Sequence, residues 1–205
     1  MIYEICTYGL TPGSVPEVEK IFGEAYEKRK KYSEMVGFWH TDVGPLNEII
    51  HIWPYKDLAE RESIRAEVAK EPNWPPKIGE FIRYMNSEIL TPFPCSPQLT
   101  PGKWGPFYEI RIYTLKMGTL DAAMKAWEKA LPGRMLLSPC VLVGHVDLGV
   151  ANGMIHIWPH TSMNERTEIR AKAYATGVWG PEGMTARIMT QENKIMLPSA
   201  FSPMQ

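Results

Sequence analysis

Ile50-His51-Ile52-Trp53-Pro54 occurs a second time in the chain, as Ile155-His156-Ile157-Trp158-Pro159. The shift is 105 residues, and the same shift carries Tyr3-Glu4-Ile5, Tyr8, Leu10 and Gly13 onto Tyr108-Glu109-Ile110, Tyr113, Leu115 and Gly118. From His40 to Ala66, 14 of 27 positions are identical to their partners, where ordinary composition gives about one or two. A period this long is no solenoid unit. It is a whole small domain, duplicated and fused within 205 residues.

Each copy reads in the same order. A strand covers about Ile2–Tyr8, Gly13 turns the chain, and Ser14 with Glu17 forms a capping-box signature before a helix with Val15, Val18, Phe22 and Tyr26 on one face. A hairpin follows, with strands near 36–43 and 48–53 around Gly44-Pro45, and Pro54 ends it. Asp57 and Glu60, like Ser162 and Glu165, cap a second helix. A last strand covers roughly 80–89 after Trp74-Pro75-Pro76. In the second copy Pro132-Gly133 is expected to interrupt the first helix.

The order β-α-β-β-α-β is the ferredoxin-like unit, with helices on one sheet face. The other face needs cover, and the second copy supplies it. The fold expected is therefore α+β: two fused ferredoxin-like repeats whose antiparallel sheets pack face to face as a pseudo-dimeric α/β barrel. Residues 1–90 form the first repeat, 91–106 a linker with five prolines in sixteen residues, and 107–205 the second repeat with a C-terminal arm. Pro92, Ser96 and Pro97 are echoed by Pro198, Ser202 and Pro203, so each half is expected to carry an arm that lies on its partner.

Composition narrows function more than it assigns it. A net charge of −1 argues against nucleic acid or anionic membrane as partner. The run Lys28-Arg29-Lys30-Lys31 reads as a solvated helix end, and as a run it has no counterpart in the second half. Cys6, Cys95 and Cys140 do not align across the repeat, and no CxxC accompanies them. Neither a disulfide framework nor a zinc site is indicated, and a reducing cytoplasm is the simplest compartment. No phosphate loop or nucleophile elbow is present.

Strand alternation puts Glu4, Cys6, Tyr8, His51 and Trp53 on one face, with Glu109, Arg111, Tyr113, His156 and Trp158 as their copies. If the isoleucines meet the helices, this polar set points into the barrel. Glu4 with His51, and Glu109 with His156, then read as acid–base pairs beside a cavity. Tyr8, Tyr113, Trp53, Trp158 and Arg111 would shape that cavity around a ligand. The structural alternative is a polar pair that satisfies itself between packed sheets, and retention in both halves fits either. Cys6 against Arg111 points to one copy being degenerate. A metal held by both histidines requires them to meet across the pseudo-twofold axis, and no further ligand motif accompanies them, so none is predicted. No organic cofactor is predicted either; an axial ligand to haem is the one such role open to a histidine. His40, Asp42, His145 and Asp147 read as solvated residues of an edge-side hairpin. Arg61 and Arg65, like Arg166 and Arg170, lie one turn apart and need a nearby carboxylate or an anionic ligand.

The turn Gly44-Pro45-Leu46-Asn47-Glu48, the strand Ile50-His51-Ile52-Trp53 and the helix start Leu58-Ala59-Glu60-Arg61 resemble the NIPSNAP family. The likeness runs through both halves. The copy keeps only the glycine and asparagine of the turn, at Gly149 and Asn152. The resemblance implies the dimeric α/β-barrel superfamily and an interior able to hold a small, mostly apolar molecule. That superfamily includes cofactor-free monooxygenases, isomerases and haem-binding enzymes, while some NIPSNAP members are discussed as trafficking or signalling proteins. Two functions follow as expectations. One is an oxygenase, isomerase or lyase with a hollow barrel pocket. The other is a non-catalytic binding or adaptor protein with a filled barrel and exposed apolar surface near Phe93 and Trp104. Further assembly into a homo-oligomer is compatible with both.

Overall fold

The computed structural model describes residues 1–205. The first repeat contributes β1 (Ile2–Leu10), α1 (Val15–Arg29), β2 (Gly37–Val43), β3 (Glu48–Tyr55), α2 (Leu58–Val68) and β4 (Ile82–Pro92). The second contributes β5 (Phe107–Leu115), α3 (Leu120–Met135), β6 (Leu142–Leu148), β7 (Gly153–His160), α4 (Met163–Ala175), the single turn α5 (Met184–Arg187) and β8 (Ile188–Pro198). Within each repeat the antiparallel strands take the ferredoxin-like order, 4-1-3-2 in the first and 8-5-7-6 in the second.

The two sheets also join at their edges. β2 pairs with β8 and β4 with β6, which closes all eight strands into one barrel. The hairpin strands expected at an edge are thus paired on both sides, as closure requires. His40 is no solvated edge residue: its Nδ1 lies 2.7 Å from Glu19 Oε1.

Local chemistry explains most element ends. Asp57 Oδ1 accepts from the Glu60 amide and Ser162 Oγ from the Glu165 amide, so both second helices are capped as expected. Ser14 does not cap α1; its hydroxyl donates to the Thr11 carbonyl instead. Pro54 does not end β3, which runs on to Tyr55, and Pro132 sits inside a continuous α3. The glycine and asparagine kept in both hairpin turns have a backbone reason. Gly44 and Gly149 have φ of 112° and 134°, and Asn47 and Asn152 have φ of 60° and 57°. These are left-handed conformations that those two residue types tolerate best.

Three apolar clusters divide the interior. One mixes both repeats and fills the barrel: Tyr3, Ile5, Ile50 and Ile52 meet Tyr108, Ile110, Ile155 and Ile157 around Trp39 and Met196. The others lie outside the barrel wall, one between each half-sheet and its helices. The isoleucines therefore fill the barrel, and the polar set faces the helices. The expected alternation holds, with the two faces exchanged. Two sheets meeting through their inner faces need the more uniformly apolar row there.

The arms cross between the halves. Ser202 Oγ accepts from the Phe38 amide at 2.9 Å, and Ser96 Oγ accepts from the Val143 amide at 3.0 Å. Phe201 packs into the first repeat's helix-side cluster and Phe93 into the second's. Phe93 is buried and Trp104 half-buried, so the exposed aromatic surface expected for an adaptor is not formed there.

Candidate functional site

With the barrel filled, the hollow that the polar set meets lies on the helix side of the first repeat. A cavity of about 440 Å³ is bounded by the outer face of β1 and β3, by α1 and α2, and by the Trp74–Gly79 segment. Glu4, Tyr8, His51 and Trp53 line it, together with Cys6, Phe22, Arg29, Arg65 and Trp74. The polar set thus does meet around a hollow, but outside the barrel.

His51 is held firmly. Trp53 Nε1–H donates to His51 Nδ1 at 2.7 Å. Indole is only a donor, so Nδ1 accepts and the neutral ring carries its proton on Nε2. Phe38 stacks on the ring and Tyr8 meets it edge-on. Burial pulls the His51 pKa down to about 3, so the ring is neutral at ordinary pH. The Nε2 atom is buried and has no partner.

Glu4 and His51 do not form the expected pair. Their strands neighbour each other, but the register sets Glu4 opposite Trp53, and His51 opposite Cys6. Glu4 instead accepts from Arg61 at 2.5 Å, Ser87 at 2.7 Å and Arg65 at 3.3 Å. All three bonds fall on Oε1, leaving Oε2 free of protein donors. Burial works to raise the Glu4 carboxyl, but Arg61, Ser87 and Arg65 outweigh it and hold it below its ordinary value. The arginine pair one turn apart on α2 thus has its carboxylate in the same repeat. Burial pushes the Cys6 thiol up to about 12, which keeps it protonated at ordinary pH.

Arg29 was missed by the sequence reading. It is 3% exposed, its guanidinium lies 4.4 Å from the Trp53 ring centroid, and it donates to Ser33 Oγ at 2.7 Å. Arg134 repeats the arrangement over Trp158 at 4.5 Å, bonded to Ser138. The available signal was Arg29 and Ser33 recurring as Arg134 and Ser138 at the same 105-residue shift. The basic run around Arg29 hid it.

The second repeat assembles the matching side chains with almost no space. Glu109, Arg111, Tyr113, His156 and Trp158 surround a pocket of only about 30 Å³. Trp127 stands where the first repeat has Phe22, and Arg111 where it has Cys6. Arg111 donates to Glu109 at 3.0 Å and to Tyr113 Oη at 2.7 Å, which fills the hollow. His156 Nδ1 accepts from Trp158 Nε1–H at 2.6 Å, so this histidine also pairs with its tryptophan and not with a carboxylate. His51 and His156 lie in separate clusters on either side of the barrel and cannot share an ion.

The NIPSNAP family model matches residues 3–97 and again 108–203. Over 213 residues the chain is 28% identical to Protein NipSnap homolog 3B of Mus musculus, covering 99% of this chain and 85% of that one. It is 27% identical over 215 residues to Protein NipSnap homolog 3A of Homo sapiens, covering 100% and 86%. Among solved structures, a proposed monooxygenase from Lactobacillus acidophilus superposes with a TM-score of 0.67 at 12% identity, covering 97% of this chain and 94% of that one. At that identity the likeness shows the shared fold alone. No helix is long and apolar enough to cross a membrane.

Proposed function

We propose, from the premise that this chain belongs to the NIPSNAP family, that it is a small-molecule enzyme whose site is the helix-side cavity of the first repeat. Its substrate is a compact, largely apolar carbonyl or phenolic compound. The observation that carries this reading is His51 Nε2–H: a buried donor without a partner, on a residue that lines an aromatic cavity. Buried polar atoms are almost always satisfied, and a ligand oxygen would satisfy this one.

A neutral imidazole N–H is suited to stabilising charge that develops on oxygen. Glu4 Oε2 is the acceptor at the same cavity. When a C–H or O–H bond of the substrate breaks, the proton passes to Glu4 Oε2 and the electron pair settles on the oxygen that faces His51. Formation of such an enolate or phenolate is the step shared by cofactor-independent oxygenases, isomerases and lyases. Phe22, Trp53 and Trp74 would hold the apolar body, and Arg65 at the mouth would meet a polar end.

One observation favours binding without turnover. The His51 pKa lies near 3 and the Cys6 thiol near 12, while Glu4 is held low, so none of the three is poised near neutrality. Both readings are tested together by titrating compact phenols and 1,3-dicarbonyls into the protein. Tryptophan fluorescence reports binding, and substrate absorbance reports consumption. Saturable binding should fall at least tenfold in His51→Phe and in Phe22→Trp, which places the second repeat's residue in the cavity. Consumption by the wild type selects the enzyme, and binding without consumption selects the carrier. Binding that neither variant weakens would remove the cavity from the account.

A further inference from the structure

The second repeat gathers four arginines around one carboxylate. Arg111, Arg134 and Arg170 line the small pocket beside Glu109. Arg166 grips the same carboxylate through both oxygens, at 2.5 and 3.0 Å. One negative charge faces four positive ones, and guanidinium cannot relieve this by losing a proton. Water cannot relieve it well either, because Arg134 is buried and Arg111 largely so. Confined cations without counter-charge are costly. The first repeat is less charged, since Cys6 replaces Arg111.

A second observation points to the same pocket. His156 lines it, is 2% exposed, and has Nδ1 occupied by Trp158, so its Nε2 carries the proton; that atom is buried without a partner. Three cations, the Glu109 carboxylate and an unsatisfied N–H donor therefore border one small, partly open space. Its volume of about 30 Å³ compares with the roughly 10–15 Å³ that one water requires. An organic substrate does not fit, whereas a monatomic anion does.

We infer that this pocket is an anion site, taking one small inorganic anion of halide size between Arg111, Arg134, Arg170 and His156. The second repeat is then the anion-filled counterpart of the hollow first repeat. The inference concerns a different site and does not rest on the function proposed for the first cavity.

The test uses the full chain dialysed into gluconate, with chloride or bromide titrated at constant ionic strength. Melting temperature and isothermal titration calorimetry are the readouts. The expected result is a saturable rise in melting temperature and one site per chain. Arg111→Cys, which installs the first repeat's residue, should lower halide affinity at least tenfold. Arg170→Ala on α4 gives the same readout should that variant not fold. Lys129→Ala, which removes an exposed cation, should leave affinity unchanged. A bromide-soaked crystal should show its anomalous peak between Arg111, Arg134 and Arg170. A melting temperature that follows ionic strength alone, or bromide found only elsewhere, would overturn the site. Tighter binding of sulfate or phosphate than of halide would overturn the size assignment.

Discussion

Replacing Glu109 by glutamine should destabilise the protein far more than the matching change at Glu4. Glu109 accepts from Arg166 at 2.5 and 3.0 Å and from Arg111 at 3.0 Å, and Arg170 lies 4.0 Å away. The arginine side chains are 18% exposed at 166 and 15% at 111. Loss of the carboxylate leaves these cations confined with each other, and breaking a buried ion pair from one side costs about 3–5 kcal/mol. At Glu4, the side chain of Arg65 is 56% exposed and can turn to water. No cation stands at Cys6 there, so the cost falls to about 1.5–3 kcal/mol, the range for hydrogen bonds to charged groups. Urea denaturation of both variants near neutral pH, at fixed anion content, measures the difference as a shift in midpoint with unchanged slope. The acid limb gives an independent check. Burial favours the protonated Glu109 carboxyl, but His160 at 3.8 Å, Arg166 and Arg111 outweigh it and hold its pKa well below the ordinary 4.5. A depressed folded-state pKa gives stability that is present above about 4.5 and lost as pH falls toward the folded value. The gap between wild type and Glu109→Gln should therefore be widest near neutrality and narrow below pH 4.5. Equal costs at the two glutamates, or a gap that does not narrow in acid, would refute the reasoning.

Three further outcomes follow from the geometry. Cys95 is half-buried while Cys6 and Cys140 are buried, so alkylation of the native protein followed by mass spectrometry should label Cys95 first. A different order would mean that the first cavity is open enough to expose Cys6. The Glu19 hydrogen bond raises the His40 pKa above 6.5. His40→Gln should therefore lose stability below pH 6.5, by up to about 1 kcal/mol for a partly exposed pair, and the loss should vanish as pH rises through the folded-state pKa; a pH-independent loss in denaturant melts would contradict the ion pair. Lys194 on β8 donates to Glu48 on β3 at 2.7 Å, with both side chains buried, and so ties the repeats together. Lys194→Met should cost about 3–5 kcal/mol, and thermal melts showing less than 1 kcal/mol would mean that Glu48 finds another partner.

The duplication was fully legible in the chain, and with it the order of elements and the need for one repeat to cover the other. The faces were not. Tyr3, Ile5, Ile50 and Ile52 form an apolar row that suits either a helix layer or a barrel interior, and alternation alone cannot say which. The arms hold the missing information, since Phe201 and Phe93 join the helix-side clusters and seal that layer from the opposite half. The Glu–His pairing failed for a related reason. Strand adjacency was visible, but register and the reach of Arg61 were not. Two residues apart on one strand, His51 and Trp53 point the same way, and their mutual hydrogen bond was the nearer solution. The size difference between the pockets was legible in part. Cys6 against Arg111 marked the asymmetry, and Phe22 against Trp127 reinforces it once both are seen to face the helix layer.

The central claim is that the ligand oxygen meets His51 Nε2–H in the first repeat. Nitrogen-15 NMR of histidine-labelled protein tests it most directly. The expected result is a neutral ring protonated on Nε2 throughout pH 5–8, whose Nε2 resonance moves saturably as a phenol or 1,3-dicarbonyl is titrated, while that of His156 stays in place. A His51 ring that titrates within that range, or a bound ligand that leaves its Nε2 resonance unmoved, would contradict the claim.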